Sequence, residues 1–145
     1  MDARAQILFP VLALIVWTFV MWFLMYATRI PALRAAGLDP GRLKRKSDLD
    51  PLPVSVQQVA DNYNHLHEQP TVFYALAFYS YAIGVADPLN VILAWSYVGV
   101  RVVHSLIQAT TNYVPLRFSI FAVASLILMG MTARNVIALW VTSGG

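Results

Sequence analysis

The chain has 145 residues, 59% of them hydrophobic and 12% charged, with a formal net charge of +3 and no cysteine. Charged residues stand at about half their usual share, and the mean hydropathy of +0.62 excludes an ordinary soluble domain and points to an integral membrane protein. The small net charge makes no case for nucleic acid, and without cysteine any thiol chemistry must use a bound thiol.

Ile7 to Tyr26 form an apolar run of the length, about 20 residues, that crosses a bilayer. The run is too long for the apolar core of a signal peptide and shows no clear small-residue cleavage site, so a retained first span over 6–29 is expected. Pro10 falls in its first turn, where a missing N–H costs least. Ile30-Pro31 predicts the stop, because a residue before proline disfavours the helical region.

The stretch 31–53 is the long polar connection. It carries Arg34, Arg42, Lys44, Arg45 and Lys46 against Asp39, Asp48 and Asp50. Basic residues beside a span mark the cytoplasmic side, so this loop is expected in the cytoplasm and both termini opposite, although Arg4 argues mildly the other way. The basic run also suits anionic lipid headgroups, beside its plainer role as a topology determinant.

A second span is expected over 54–84, bent at Pro70. Its apolar part, Thr71 to Val85, is shorter than a bilayer requires, so its remaining turns must come from the polar segment before it. Within that segment Asp61, Asn64, His65 and Glu68 recur at helical spacing on one face, which would be costly against lipid and should meet protein, water or a ligand. Asp87-Pro88 reads as the N-cap and first residue of a third span, 88–110. On that span Arg101, His104 and Gln108 share a face. Thr111 to Pro115 makes a tight turn into a fourth span, 115–141, which opens with Arg117 and carries Arg134-Asn135 near its far end. The expected fold is an all-α, antiparallel four-helix membrane bundle in one domain, 1–145.

This topology gathers the polar residues at one depth. The first span ends, the second begins, the third ends and the fourth begins on the same side. Arg29, Asn64, His65, Glu68, Arg101, His104, Gln108 and Arg117 therefore converge, and form the candidate binding set. Arg29 and Arg117 are also placed to snorkel as span-end residues. Glu68 is expected to neutralise Arg101 in a buried ion pair. His65 and His67 are two residues apart and cannot chelate one ion as i, i+4 histidines do, so no metal site is expected. An excess of arginine suits carboxylates, gripped by guanidinium forks, while Glu68 suits a ligand amine. A small zwitterion bearing extra carboxylates fits, with an apolar co-substrate arriving from the bilayer.

At these residues the chain resembles the MAPEG family, the membrane-associated proteins of eicosanoid and glutathione metabolism, in a bacterial form. The motifs are His65-Leu66-His67-Glu68-Gln69-Pro70 followed by Phe73-Tyr74, then Arg101-Val102-Val103-His104, then Pro115-Leu116-Arg117. The resemblance implies a homotrimer in the bacterial inner membrane, with glutathione as co-substrate bound between subunits on the cytoplasmic side. It implies that Glu68, Arg101, His104 and Arg117 occupy glutathione-contacting positions, with Arg117 as the catalytic residue that stabilises the thiolate. The implied activity is a glutathione-dependent transferase or peroxidase acting on lipophilic electrophiles or lipid peroxides. The alternative is a noncatalytic lipid-binding or scaffold protein of the same fold; a proton relay through Glu68 and His104 in a small transporter is a third, without the internal repeat of many transporters. The sequence departs from the family pattern where Asp61, Asn64 and His65 replace arginines and asparagine, and where Gln108 and Phe121 replace aromatic hydroxyls.

Overall fold

A computed structural model describes residues 3–143; the first two and last two residues of the expected 1–145 domain lie outside the described residues. Among the described residues the chain forms five α-helices: α1 (Leu8–Ala35), α2 (Val54–His65), α3 (Gln69–Ala82), α4 (Pro88–Ala109) and α5 (Val114–Ser143). Three helical stretches, Arg4–Ala35, Pro88–Ala109 and Val114–Val141, are long and apolar enough to cross a membrane. The fourth layer of the bundle is α2 followed by α3, neither of which is long enough by itself.

Two sequence expectations about the helix limits need correction. Proline does not end α1, which runs through Pro31 to Ala35. The stop comes at Gly37, which adopts φ +64°, and a pair of bonds closes the end: Leu38 N–H donates to the Leu33 carbonyl at 3.1 Å and Gly37 N–H to that of Arg34 at 3.1 Å. Only glycine takes this left-handed position without steric cost, so the end of α1 is set by the αL cap rather than by the proline. Nor is the second span one helix bent at Pro70. It breaks at 66–68, where Glu68 has the non-helical dihedrals φ −90° and ψ −97°. Pro70 offers no N–H and its ring crowds the carbonyl four residues back, so the chain leaves helix one turn upstream and restarts with Pro70 in the first turn of α3. The third span follows expectation, with the Asp87 carboxylate accepting from Asn90 N–H at 2.8 Å as its N-cap.

Successive layers run antiparallel. Asn62 on α2 meets Ser105 on α4, and Asn90 on α4 meets Arg134 on α5. Between them lies a core built on Val11, Leu14, Met21, Phe73, Tyr97 and Leu128, in which the Phe73 and Tyr97 rings stack at 4.6 Å. The outer surface is apolar as well, exposing Phe19, Phe23, Phe118, Leu126 and Trp140 in the manner of a lipid-facing shell. An apolar surface gives little driving force between helices inside a bilayer, so polar contacts carry part of the specificity. Three amide–hydroxyl pairs supply it at successive depths: Asn62 Nδ2 to Ser105 Oγ at 2.7 Å, Gln69 Nε2 to Ser125 Oγ at 2.8 Å, and Asn135 Nδ2 to Ser80 Oγ at 2.8 Å.

Candidate functional site

The break in the second layer builds the site. At the end of α2 the carbonyl of His65 accepts from the backbone N–H of Glu68 at 3.4 Å across the turn, and from Arg101 Nη2 at 3.0 Å. Arg101 lies on α4 and is 1% exposed, the largest fully buried side chain among the described residues. Its cationic head thus meets the negative end of the α2 dipole. Its Nε and Nη1 are buried without hydrogen-bond partners.

Glu68 does not neutralise Arg101, contrary to the sequence expectation. Its carboxylate lies 3.5 Å from His65 Nε2 and its side chain is 69% exposed. The reason is the break: an unbroken helix would carry Glu68 on the face of His65, whereas the turn at 66–68 swings it outward. The same turn ends the polar row of the second span. Asp61 pairs with Lys46 at 3.1 Å and Asn64 faces the loop, while His65 faces α4 and α5.

One turn beyond Arg101 on α4, His104 is 2% exposed, and its ring lies 4.9 Å from that of His65. Phe121 on α5 covers the pair, its ring 5.6 Å from His65 and 6.4 Å from His104. Arg117 completes the arrangement from the first turn of α5. Asn112, at φ +51° in the turn before it, accepts a hydrogen bond from Arg117 Nη1 and so fixes the guanidinium. His65, His104, Arg117 and Phe121, with Val114 and Phe118, line an open cavity of about 220 Å³. Both histidine Nδ1 atoms and Arg117 Nε are buried without partners, as is Oε1 of Gln108, which is 4% exposed one turn further along α4.

Buried polar groups are normally paired, and leaving one unsatisfied costs about 1–3 kcal/mol. Here six side-chain atoms on five residues are unsatisfied around one helix break: two on Arg101 and one each on His65, His104, Gln108 and Arg117. Together with the N-terminus of α5, this is chemistry for an anion whose own groups complete the hydrogen bonds.

The expected set is divided by the fold. His65, Glu68, Arg101, His104, Gln108 and Arg117 gather at the break. Arg29 and Asn64 line a different cavity, between α1, α2 and the polar connection, which shares no lining residue with the first. Sequence reasoning overlooked Asn62, whose bond to buried Ser105 ties α2 to α4 beside the site, and Asn112, which orients Arg117. Asn62 stands next to the polar row but off its face, and only the pairing across helices singles it out. A polar residue held at positive φ before a helix is a turn signal that Asn112 did carry. At the opposite end of the bundle, Arg134 bonds the carboxylate of Asp87 and the amide oxygen of Asn90, pinning the α3–α4 connection to α5.

The sequence model of the MAPEG family matches residues 7–137. No curated protein and no solved structure matches the chain.

Proposed function

The chain belongs to the MAPEG family, and from that premise we propose that it is a membrane enzyme that uses glutathione to conjugate or reduce lipophilic electrophiles or lipid peroxides. Family membership supports a glutathione-related membrane activity in general. The observation that carries the finer reading is the set of unsatisfied donors and ring nitrogens on Arg101, Arg117, His65 and His104, gathered at one break in the bundle.

The residues fit glutathione by their chemistry. The free N–H groups of the two arginines suit carboxylates, and the exposed Glu68 carboxylate suits an ammonium group. Bound there, glutathione supplies a thiol. Arg117, held by Asn112 at the positive end of α5, favours the thiolate over the thiol. Phe121 and Phe118 give that end of the cavity an apolar wall, on the side from which a membrane-dissolved substrate arrives.

Glu68 reaches 69% exposure in a layer of the bundle that crosses the membrane. A carboxylate facing lipid is costly, which supports a homotrimer in which a neighbouring copy covers this face.

Purified protein tested for glutathione binding and for thiol-dependent turnover of a generic aromatic electrophile decides the matter. Binding with turnover is the expected result. Binding of lipid without binding of glutathione would instead make the protein a noncatalytic lipid binder on the same bundle, a reading favoured by the family resemblance, which implies aromatic hydroxyls where this chain has Gln108 and Phe121.

A further inference from the structure

A second cavity, of about 420 Å³, opens where the end of α1, the polar connection and α2 meet. Four cations line it, Arg29, Lys44, Arg45 and Lys46, against one acid, Asp61. Lys46 Nζ pairs with the Asp61 carboxylate at 3.1 Å, which spends one charge on each side. Arg29, Lys44 and Arg45 make no ion pair among the described residues. Arg29 Nε is in addition buried with no hydrogen-bond partner.

The cavity is built rather than accidental. Asp48 Oδ2 accepts from the backbone N–H of Lys44 at 2.7 Å and of Arg45 at 2.9 Å, so a capped 3-10 turn (Lys46–Leu49) fixes the stretch that carries the cations. Leu33, Leu43 and Leu49 supply apolar walls. Its depth is also defined. Arg29 follows by three residues the apolar run that ends at Tyr26, and the length of that run alone would put it at the membrane interface. Next to it, the outer face of α1 exposes Phe23, Tyr26 and Ile30.

We propose that this cavity binds the phosphate group of an anionic phospholipid, with Arg29, Lys44 and Arg45 as its donors and the acyl chains lying along the outer face of α1. Three uncompensated cations around a cavity select an anion. The interfacial depth and the adjoining apolar helix face select one that carries hydrocarbon. This cavity shares no lining residue with the one between His65, His104 and Arg117.

The test titrates the full chain, in micelles of a neutral detergent, with phosphatidylglycerol, phosphatidylcholine or inorganic phosphate, and reads bound lipid by native mass spectrometry. Phosphatidylglycerol should be retained at least tenfold better than phosphatidylcholine. Arg29→Gln should weaken that retention about fivefold, and Lys44→Gln with Arg45→Gln more than tenfold, in keeping with the contribution of single basic residues at an anionic surface. Arg42→Gln removes the same charge from outside the cavity and should change little. Asp61→Asn, which releases Lys46, should strengthen retention severalfold, an outcome that misfolding cannot imitate. Displacement of the lipid by millimolar inorganic phosphate would keep the phosphate chemistry and make free phosphate its source. Equal retention of the two lipids, an Arg42→Gln loss as large as that of Arg29→Gln, or displacement by glutathione would each overturn the proposal.

Discussion

Arg117 is held from one side: Asn112 accepts from its Nη1, while its Nε has no partner and its side chain lines the cavity shared with His65 and His104. A guanidinium fixed in this way is a preorganised positive charge, so its removal should act on a bound thiol's ionisation more than on affinity. Arg117→Ala is expected to lower turnover at neutral pH more than it weakens glutathione binding, with activity partly returning at alkaline pH. Each unit by which the bound thiol's pKa rises corresponds to about 1.4 kcal/mol. Arg117→Lys keeps the charge without the fork and should retain part of the activity. A pH–rate profile of each variant against the parent reads the shift, and an Arg117→Ala protein that binds and turns over like the parent would reduce the arginine to an interfacial anchor. A second residue-scale test concerns Asp48, outside the spans. The backbone N–H groups of Lys44 and then Arg45 hold its carboxyl below the usual carboxylate range. A depressed folded-state value means that the turn is stabilised above the unfolded pKa of about 3.9 and loses that stabilisation as pH falls through the folded value. Protection factors of the Lys44 and Arg45 amides, corrected for intrinsic exchange, should therefore stay level above about pH 5 and fall below pH 4. Asp48→Asn, which has no charge to lose, should flatten that dependence.

At the scale of elements, the break between α2 and α3 decides how the buried arginine is stabilised. Four residues at helical spacing, Asp61 to Glu68, pointed to one continuous polar face and to a Glu68–Arg101 pair. Pro70 was legible as a disturbance, but a proline's effect reaches back to the preceding turn, and that turn carries Glu68. Similarly Pro31 was legible while the cap at Gly37 decided the end of α1, because a helix tolerates one missing N–H more readily than a closed αL cap is bypassed. The two arrangements of Glu68 differ sharply in energy. A buried Glu68–Arg101 pair would cost roughly 3–5 kcal/mol to break. An exposed carboxylate 3.5 Å from a histidine contributes at most about 1 kcal/mol. Glu68→Gln should therefore destabilise the detergent-solubilised protein by less than about 1 kcal/mol in chemical denaturation. Arg101→Met in the Glu68→Gln background should cost the same as in the parent. A large loss on Glu68→Gln that Arg101→Met rescues would restore the direct pair.

For the molecule as a whole, composition and the lengths of the apolar runs carried the helical membrane architecture and the order of its spans. Helical spacing carried the buried face of Arg101, His104 and Gln108. What the sequence does not carry is the cross-helix pairing of Asn62 with Ser105, Gln69 with Ser125 and Asn135 with Ser80. In each pair the partner lies more than forty positions away along the chain, a separation that local spacing does not read. The division of the binding set has the same cause. Asn64 and His65 are neighbours in sequence but point about 100° apart on a helix, far enough to enter different cavities. Orientation in the membrane is then the property that connects both cavities to the cell. Six basic residues lie between Arg29 and Lys46, against three acids in the 31–53 stretch. Positive charge beside a span is retained on the cytoplasmic side, so this connection should be cytoplasmic, and with it the break at 66–68, the start of α5 and the cation-lined cavity. With α1, α4 and α5 as single crossings and α2 with α3 as one more, both ends of the chain should then lie on the opposite side. A phosphatase reporter fused after Gly145 should be active outside the cytoplasm, and a reporter inserted near Gly41 should be active only in a cytoplasmic form. The reverse pattern would move both cavities to the outer face, away from the cytoplasmic supply of glutathione that the proposed activity requires.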